Sequence, residues 1–387
     1  ITRVSGSSGA TYGIRLTGGT GYYYMSNNQI FAFSGDQNVV YGLASGAGTE
    51  NRMYNNRVYN LQSTGVSGSV VHGIFISAGA GSSSRVFNNF VSDLNAPNVM
   101  NTNSVIGINI NAGPSLVQYN TVYLNATTTT GSSGSSAIMA STTPNVTLNN
   151  NILVNVSAAS GLGYAVAYRR SNATLTSYNA ASNNNCFYVN ASANSLIYVE
   201  GTSTYTNPCA TVSAFKTYVG PRDAASFSEL PPFVNILSKP YDLHLQTTIP
   251  TACESGGIRI TSPLAIPLDF DKELRQGETG YSGSGIAPDV GADEGDFVPV
   301  DLIPPLIVYT ALPNTLSTSG PILANVIITD DNNINVNPGL KPRVYYKKKT
   351  NANTFADNTS GTNGWKYVEA SGSVSPFSFA LDFNLIS

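Results

Sequence analysis

Charge is scarce in this chain. Only 11% of its 387 residues are Asp, Glu, Lys or Arg, and the formal net charge is −3. A chain so weakly charged has no electrostatic footprint for nucleic acid or for an anionic membrane surface, so we expect neither partner. No apolar run approaches the roughly 20 residues of a membrane-spanning helix, and we therefore expect no membrane span.

Ionisable groups are scarcest in the first 200 residues, where lysine is absent. Besides arginine, the charged side chains and histidine there are Asp36, Glu50, Asp93, Glu200 and His72. Acid–base catalysis needs positioned ionisable groups, and no close pair of acids emerges from this spacing. The arginines, including Arg57, Arg169 and Arg170, are scattered, and we expect them to be solvated. Catalysis is therefore poorly supported in this region.

Cysteine is also rare. Cys186, Cys209 and Cys253 form an odd set, so at least one thiol is unpaired within this chain. Cys186 and Cys209 flank a variable stretch and can form a disulfide in an oxidising compartment. Reduced, buried thiols are the alternative.

Asparagine, by contrast, is abundant and recurs in a pattern. Pairs of Asn precede short apolar runs, as in MSNNQIFAF from Met25 and MYNNRVYNL from Met53. The second residues of these motifs are Asn28, Asn56, Asn89, Asn120, Asn150 and Asn184, separated by 28, 33, 31, 30 and 34 residues. Between them recur apolar strands led by glycine or alanine, such as HGIFIS from His72. Self-similarity at this period indicates a repeat architecture.

The repeat predicts a right-handed parallel β-helix over about residues 1–199. A propeller blade needs four strands, and each repeat shows two strong strands with room for a weak third. Asn-Asn turns in an antiparallel sandwich are the other alternative, but hairpins do not explain so regular a spacing. In a β-helix, Asn adopts the left-handed turn conformation and stacked Asn side chains form a hydrogen-bonded ladder. Val58, Leu61, Ile74 and Ile76 would fill the interior.

Further along, the segment Pro267–Phe297 carries a distinctive ending, PLDFDKELRQGETGYSGSGIAPDVGADEGDF. It resembles the closing signature of secreted right-handed parallel β-helix proteins, which read Asp-x-Asp-Gly-x-x-Arg and then Pro-Asp-Ile-Gly-Ala-x-Glu. The matching residues are Asp269, Asp271, Arg275, Asp289, Gly291, Ala292 and Glu294. Lys272 replaces the usual Gly. The resemblance implies a β-helix over residues 1–297, with a closing segment at about 201–297, and a secreted, extracellular location.

The carboxylates of this ending have two interpretations. Asp269, Asp271 and Glu273 alternate along the chain, so on a strand they share a face and offer ligands for Ca²⁺. Alternatively, Arg275 and the acids near Glu294 form ion pairs that cap the end of the β-helix. We favour the structural cap, so no cofactor is expected unless Ca²⁺ binds here. His244 lies in the same ending and is expected to be structural.

A change of composition follows Phe297. Residues 298–305 read as a proline-bearing linker. Residues 306–387 resemble an immunoglobulin-like or fibronectin-like β-sandwich of the kind found in large surface proteins of gliding, Gram-negative bacteria that use type IX secretion. Such a module has about seven strands, and about five are recognisable here, so we expect a partial sandwich belonging to a longer surface protein. The predicted fold class is all-β.

Two classes of function remain. The first is a non-catalytic scaffold or adhesin whose partners are surface glycans or other cell-surface proteins. Tyr22, Tyr23 and Tyr24 are its candidate ligand-binding residues, because tyrosine rings stack on sugars; ordinary strand packing is the alternative for this run. The second is a polysaccharide lyase or glycoside hydrolase built on the same scaffold, with no catalytic residue identifiable from the sequence.

Overall fold

The structure is a computed structural model. It describes residues 9–36, 39–46, 48–66, 68–79, 81–127, 131–141, 145–300, 305–313, 318–330 and 334–386. The chain divides into two compact units, residues 1–300 and residues 301–387, and each is described by itself. The first unit contains a parallel β-solenoid of about six coils, which confirms the predicted β-helix.

The coils contribute strands to three parallel faces, and from residue 165 onward they contribute only to the first and third. The strands, in chain order and grouped by coil, are β1 (Thr11–Leu16), β2 (Tyr22–Ser26), β3 (Gln29–Gly35); β4 (Val40–Ser45), β5 (Glu50–Tyr54), β6 (Arg57–Ser63); β7 (Val71–Ser77), β8 (Ser83–Phe87), β9 (Phe90–Ser92), β10 (Leu94–Asn95); β11 (Val105–Ala112), β12 (Ser115–Gln118), β13 (Thr121–Leu124); β14 (Ser135–Ala140), β15 (Val146–Asn149), β16 (Ile152–Asn155); β17 (Ala165–Arg170), β18 (Cys186–Val189); and β19 (Ser195–Glu200).

The first face runs β1-β4-β7-β11-β14-β17-β19, with β20 (Thr206–Cys209) added antiparallel at its edge. The second face runs β2-β5-β8-β12-β15, and the third runs from β3 and β6 through β9, β13 and β16 to β18. Coils stay in register, so Val58 pairs with Val91 and Ile74 with Ile108. The predicted interior residues Val58, Leu61, Ile74 and Ile76 are all buried in the coil core.

A glycine occupies the same position in four strands of the first face, β1, β4, β7 and β11, where the chain packs closely against its neighbours. A Cβ at Gly73 would lie 2.5 Å from Val91 Cγ1 and 2.6 Å from the backbone oxygen of Gly107 in the next coil. Both distances are shorter than van der Waals contact. Glycine recurs here because the next coil and the third face pack directly against the backbone.

The turn between the second and third faces explains the Asn pairs. The first residue of each pair is left-handed, as at Asn27 (φ 57°), Asn55 (φ 53°) and Asn88 (φ 51°). The second residue points inward and joins a ladder in which each side-chain Nδ2 donates to the Oδ1 of the next coil. Its members are Asn28, Asn56, Asn89, Asn120, Asn151 and Asn185, at Nδ2–Oδ1 distances of 2.8–3.0 Å.

Two predicted ladder members differ from the structure. The last two motifs each hold three consecutive asparagines, and the ladder uses the third, Asn151 and Asn185, rather than Asn150 and Asn184. Asn150 and Asn184 take the left-handed position, each with φ 57°. The motif correctly located the turn. In a run of three asparagines, however, the sequence does not show which residue takes the left-handed position and which one joins the ladder.

The ladder ends on a carboxylate. Asn185 Nδ2 donates to Asp223 Oδ1 at 3.0 Å, and the backbone N–H of Asn185 donates to Ser226 Oγ at 2.9 Å. Every ladder amide donates in the same direction along the helix, so the last one needs an acceptor outside the ladder. Asp223 is fully buried and supplies it. The helix α1 (Val212–Val219) covers the same end, with Phe215 packed against Tyr198 and Phe187.

Residues 231–297 lie along the side of the β-helix. Here β21 (Phe233–Asn235) pairs antiparallel with β22 (Asp242–Leu245), and β23 (Pro250–Thr251) pairs with β24 (Val298–Pro299). The left-handed asparagines hold this segment: Asn184 Nδ2 donates to Gly256 O, Asn150 Nδ2 to Ile258 O and Asn88 Nδ2 to Leu268 O. The closing segment therefore crosses several coils laterally, whereas Asp223 and α1 cover the end.

The second unit is built from short antiparallel sheets. One consists of β25 (Leu306–Val308), β26 (Ile322–Thr329) and β29 (Phe377–Ala380); the other pairs β27 (Arg343–Tyr346) with β28 (Lys366–Glu369). Leu323, Val326, Phe377 and Phe379 form its core. The all-β fold class is confirmed by both units, and the immunoglobulin-like identity of the second stays a prediction.

Candidate functional site

The predicted tyrosine run lies on β2, at the edge of the second face as far as that face is described. Strand alternation divides it. Tyr22 and Tyr24 point outward and are 65% and 53% exposed. Tyr23 is half-buried, and its hydroxyl donates to Gly18 O at 2.9 Å. Two of the three predicted residues therefore share an accessible surface, and Tyr23 packs against neighbouring loops.

Charged side chains continue this surface onto the next coils. Tyr22 is in register with Glu50, and Tyr24 with Arg52. The Arg52 guanidinium carbon lies 5.0 Å from the centre of the Tyr24 ring. Glu50 pairs with Arg52 and also with Arg85, whose Nε is 3.2 Å from the carboxylate. We call Tyr22, Tyr24, Glu50, Arg52 and Arg85 the tyrosine–arginine surface.

Glu50 is held ionised by its neighbours. Partial burial acts to raise the pKa of this carboxyl, but hydrogen bonds from Arg52 and Arg85 and their charges outweigh it and lower the pKa. The surface thus combines two exposed aromatic rings, one of which has a guanidinium group over one face, with a second guanidinium group and one carboxylate. These groups can stack on an apolar ring face and exchange hydrogen bonds with hydroxyl groups.

A second aromatic row, on the first face, has a different geometry. The rings of Tyr12, Tyr41 and His72 stack along the helix axis with centroids 4.9 Å apart and planes within 10°. Stacked rings cover one another's faces, so this row offers ring edges to a ligand. Burial lowers the pKa of His72 to about 3, and its imidazole is neutral. The row is a packing feature.

The closing segment is organised around a buried ion pair. Arg275 Nη1 lies 2.9 Å from Glu294 Oε2, and each side chain is 1% exposed. Arg275 Nη2 donates to Asn88 Oδ1 at 3.0 Å and to Gly291 O at 3.1 Å, and its guanidinium carbon lies 3.8 Å from the centre of the Tyr119 ring. Arg275 therefore ties the closing segment to the third and fourth coils.

Other acids of the ending accept backbone hydrogen bonds. Asp269 accepts from the N–H groups of Glu273 (2.7 Å) and Glu294 (3.0 Å), and Asp289 accepts from those of Ser255 and Gly295. Burial raises the pKa of Asp269 to about 6. Burial, followed by the nearby acids Glu294 and Glu254, raises the pKa of Asp289 to about 9. Lys272, at the position of the usual Gly, has φ 74°, so the tight turn forms despite its side chain.

The three predicted Ca²⁺ ligands lie in different environments. Asp269 is buried in the backbone network, whereas Asp271 and Glu273 are exposed. Asp271 contacts a residue that we had expected to be structural: its Oδ2 lies 2.7 Å from His244 Nε2. The other ring nitrogen of His244, Nδ1, lies 2.5 Å from Asp242 Oδ1. The sequence motif did not reveal this histidine–carboxylate cluster, because β22 meets the closing signature only in the fold.

The acids of the coils are engaged in pairs or networks. Asp93 pairs with Lys239 from the closing segment. Glu200 is fully buried and accepts hydrogen bonds from the hydroxyls of Tyr198 and Tyr218, each at 2.8 Å. Neither forms a pair of accessible carboxylates with another acid among the residues that the structure describes.

The expectation of solvated arginines was wrong for Arg169 and Arg170. Both are fully buried. Arg169 donates to Ser136 Oγ at 2.9 Å and to Gly201 O at 2.9 Å, while Arg170 donates to Thr174 O at 2.7 Å and to Ser177 Oγ at 2.8 Å. Their burial follows from a neighbouring strand residue, Ser136, and from segments outside the regular strands, such as Thr174 and Gly201, which supply acceptors.

The three cysteines are buried free thiols. Cys186 Sγ donates to Glu229 O at 3.3 Å, and Cys209 Sγ to Asn207 O at 3.6 Å. Burial raises the pKa of Cys253 well above its usual range. The reduced alternative is thus the one present in this structure.

Comparison with protein-family models, with characterised proteins and with solved structures gave no match for this chain. Among the described residues there is no helix with the length and apolar character required to cross a membrane.

Proposed function

We propose that this chain is a non-catalytic extracellular scaffold that binds glycans through the tyrosine–arginine surface. The observation that carries the proposal is the pair of outward tyrosines on one strand, Tyr22 and Tyr24, beside Arg52. Residues two apart on a strand are separated by roughly 6.6 Å, so the two rings form a short aromatic row. A row of exposed rings flanked by charged hydrogen-bonding groups suits an extended, hydroxyl-rich ligand.

The location of the rings supports binding rather than packing. Tyr22 and Tyr24 have more than half of their surface exposed, whereas the stacked Tyr41 and His72 on the first face are half-buried or buried. Burying two tyrosine rings against a sugar removes a large apolar area from water, and Arg52 and Glu50 can pair with the hydroxyls around it.

The state of the ionisable groups supports a non-catalytic role. A lyase or hydrolase needs an acid and a base that reach the substrate. In the coils, Glu50 is ion-paired, Asp93 is ion-paired and Glu200 is buried under tyrosine hydroxyls. These groups hold the structure together and are not free to transfer protons.

Binding to a glycan array tests the proposal directly. We expect the purified chain to bind a subset of neutral or acidic polysaccharides, and the double variant Tyr22→Ala/Tyr24→Ala to lose at least tenfold in affinity. Tyr309→Ala is the matched control, because Tyr309 is 58% exposed in the second unit, and it should bind normally. If the double variant binds glycans as well as Tyr309→Ala does, the ligand binds at another part of the chain.

The enzymatic alternative has its own assay. A polysaccharide lyase or hydrolase would release unsaturated products or new reducing ends from the glycans that the array identifies. We expect no release. Saturable cleavage that disappears in a variant of any acidic residue would replace the scaffold proposal with an enzymatic one.

A further inference from the structure

A histidine and three carboxylates converge on the third face. His244 lies on β22, and Asp271 and Asp293 come from the closing signature. One ligand atom from each of these three side chains lies within 4.8 Å of the other two. The segments that contribute them are separated in sequence, so the arrangement is made by the fold.

A fourth side chain orients the imidazole. Asp242 Oδ1 lies 2.5 Å from His244 Nδ1 and leaves Nε2 facing Asp271. The rings of Phe90 and Phe270 flank the imidazole, with the Phe90 centroid 4.9 Å away. In metal sites, the coordinating histidine usually donates its other N–H to a carboxylate, which fixes the tautomer and the ring plane. Asp242 stands in that position.

Asp293 is the buried member of the cluster. The residue is 7% exposed. Asp293 Oδ2 accepts from the backbone N–H of Leu245 at 2.7 Å, which fixes the orientation of the carboxylate. A cation bound between Asp293, Asp271 and His244 Nε2 would compensate the charge of a carboxylate that is largely removed from water.

We propose that His244 Nε2, Asp271 and Asp293 bind one divalent transition-metal ion, with Asp242 as the carboxylate that orients His244. Zn²⁺ is the ion that this donor set fits best. It is bound by imidazole and carboxylate together, and three protein ligands leave its fourth position to water. Ca²⁺ instead takes six to eight oxygen ligands, which distinguishes this site from one built on Asp269, Asp271 and Glu273.

The site is accessible and would have a structural consequence. The side chains of His244 and Asp271 are 31% and 48% exposed, so an ion can enter from solvent. A bound ion would join β22 to the closing signature on the outside of the third face. It would link two parts of the closing segment to each other, whereas Arg275 links the closing segment to the coils. The site is independent of the tyrosine–arginine surface, and binding at one does not require binding at the other.

Calorimetric titration of the full chain, prepared without a histidine tag and treated with a chelator, tests the site. We expect one Zn²⁺ per chain, and Co²⁺ bound at the same site should show the visible absorption of a low-coordinate ion that Zn²⁺ displaces. Ca²⁺ should not compete. Failure of Zn²⁺ to bind stoichiometrically would overturn the proposal.

Variants distinguish the site from adventitious binding. Asp271→Asn removes an exposed ligand and should weaken Zn²⁺ binding by at least about 100-fold while the circular dichroism spectrum is unchanged. His244→Gln should do the same and abolish the Co²⁺ absorption. Glu273→Gln is the control, because this exposed acid of the same signature lies outside the cluster, and its affinity should equal that of the unmodified chain. Unchanged affinity in a folded Asp271→Asn variant would contradict the proposal.

Discussion

The coils and the closing segment are stabilised by different kinds of interaction. In the coils, one interaction is repeated: each ladder asparagine donates to the next, and each coil adds the same hydrogen bonds. In the closing segment, the interactions occur once, and they centre on buried charges such as Arg275 and Glu294. A repeated neutral hydrogen bond distributes stability along a solenoid, whereas a buried ion pair concentrates it at one point.

The same two regions also differ in how many acidic residues they contain. The coils are nearly free of acids because their interior is apolar and each buried polar group must find a partner in the coil above or below. The closing segment lies on the outside of the helix, where backbone N–H groups of irregular loops are free to bind carboxylates. Asp269 and Asp289 are therefore used as acceptors for loops that have no regular partner strand.

The largest expected effect is at the buried ion pair. Arg275→Ala removes the partner of Glu294 and should lower the free energy of unfolding by about 3–5 kcal/mol, because it leaves a carboxylate buried without its cation. Urea denaturation measures this. Arg259→Ala is the matched control: Arg259 also pairs with a glutamate, Glu278, but is 48% exposed, and its loss should not be measurable. Similar losses of unfolding free energy in the two variants would mean that burial does not make the Arg275–Glu294 pair more important than an exposed pair.

A ladder position should be less costly. Asn89→Ala deletes an amide that donates to Asn120 Oδ1 and Met53 O and accepts from Asn56, so three buried residues each lose a hydrogen bond. We expect a loss of about 1–3 kcal/mol in the same denaturation experiment. Asn111→Ala, at an exposed asparagine on β11, should have almost no effect. If Asn89→Ala lowers the free energy of unfolding as much as Arg275→Ala does, the stability of the coils also depends on single residues and is not distributed along the ladder.

The close approach of coils gives a third test. Gly73→Ala places a Cβ against Val91 and the Gly107 backbone and should cost about 1–3 kcal/mol, since the backbone oxygen cannot move aside freely. At Gly79 a Cβ would meet nothing within 4 Å, so Gly79→Ala serves as the control. Thermal melting of both variants makes the comparison. Equal melting temperatures would show that the coils can separate locally without cost.

The last expected effect depends on pH and concerns Asp223, where the ladder meets the segment after residue 200. Burial raises its pKa from 3.8 to about 6. Because the folded state holds this proton more tightly, the stability it contributes is complete below pH 3.8 and is lost as the pH rises through about 6. Asp223→Asn stays neutral, so its stability relative to the unmodified chain should rise between pH 4 and pH 7 in urea titrations. A constant difference over that range would show that Asp223 does not titrate in the folded state.

Much of the first unit could be predicted from local patterns. The interval between Asn motifs predicted the coils, and the apolar residues Val58, Leu61, Ile74 and Ile76 of the short strand-like runs predicted the interior, because a parallel solenoid repeats the same environment in each coil. The candidate surface was only partly visible. Strand alternation separates Tyr23 from Tyr22 and Tyr24, and a run of three tyrosines does not show which two face outward.

The amino-acid pattern alone predicts the repeating part: a charge-poor solenoid with asparagine at each turn and glycine where several of the coils touch. Its contacts join residues at a nearly constant spacing, and a periodic sequence shows that spacing directly. The remaining contacts depend on the tertiary structure. It placed Asp223 under the ladder, buried Arg169 and Arg170, and brought His244 to Asp271 and Asp293. These contacts occur once, between segments of unrelated spacing, and depend on how the closing segment crosses the side of the coils.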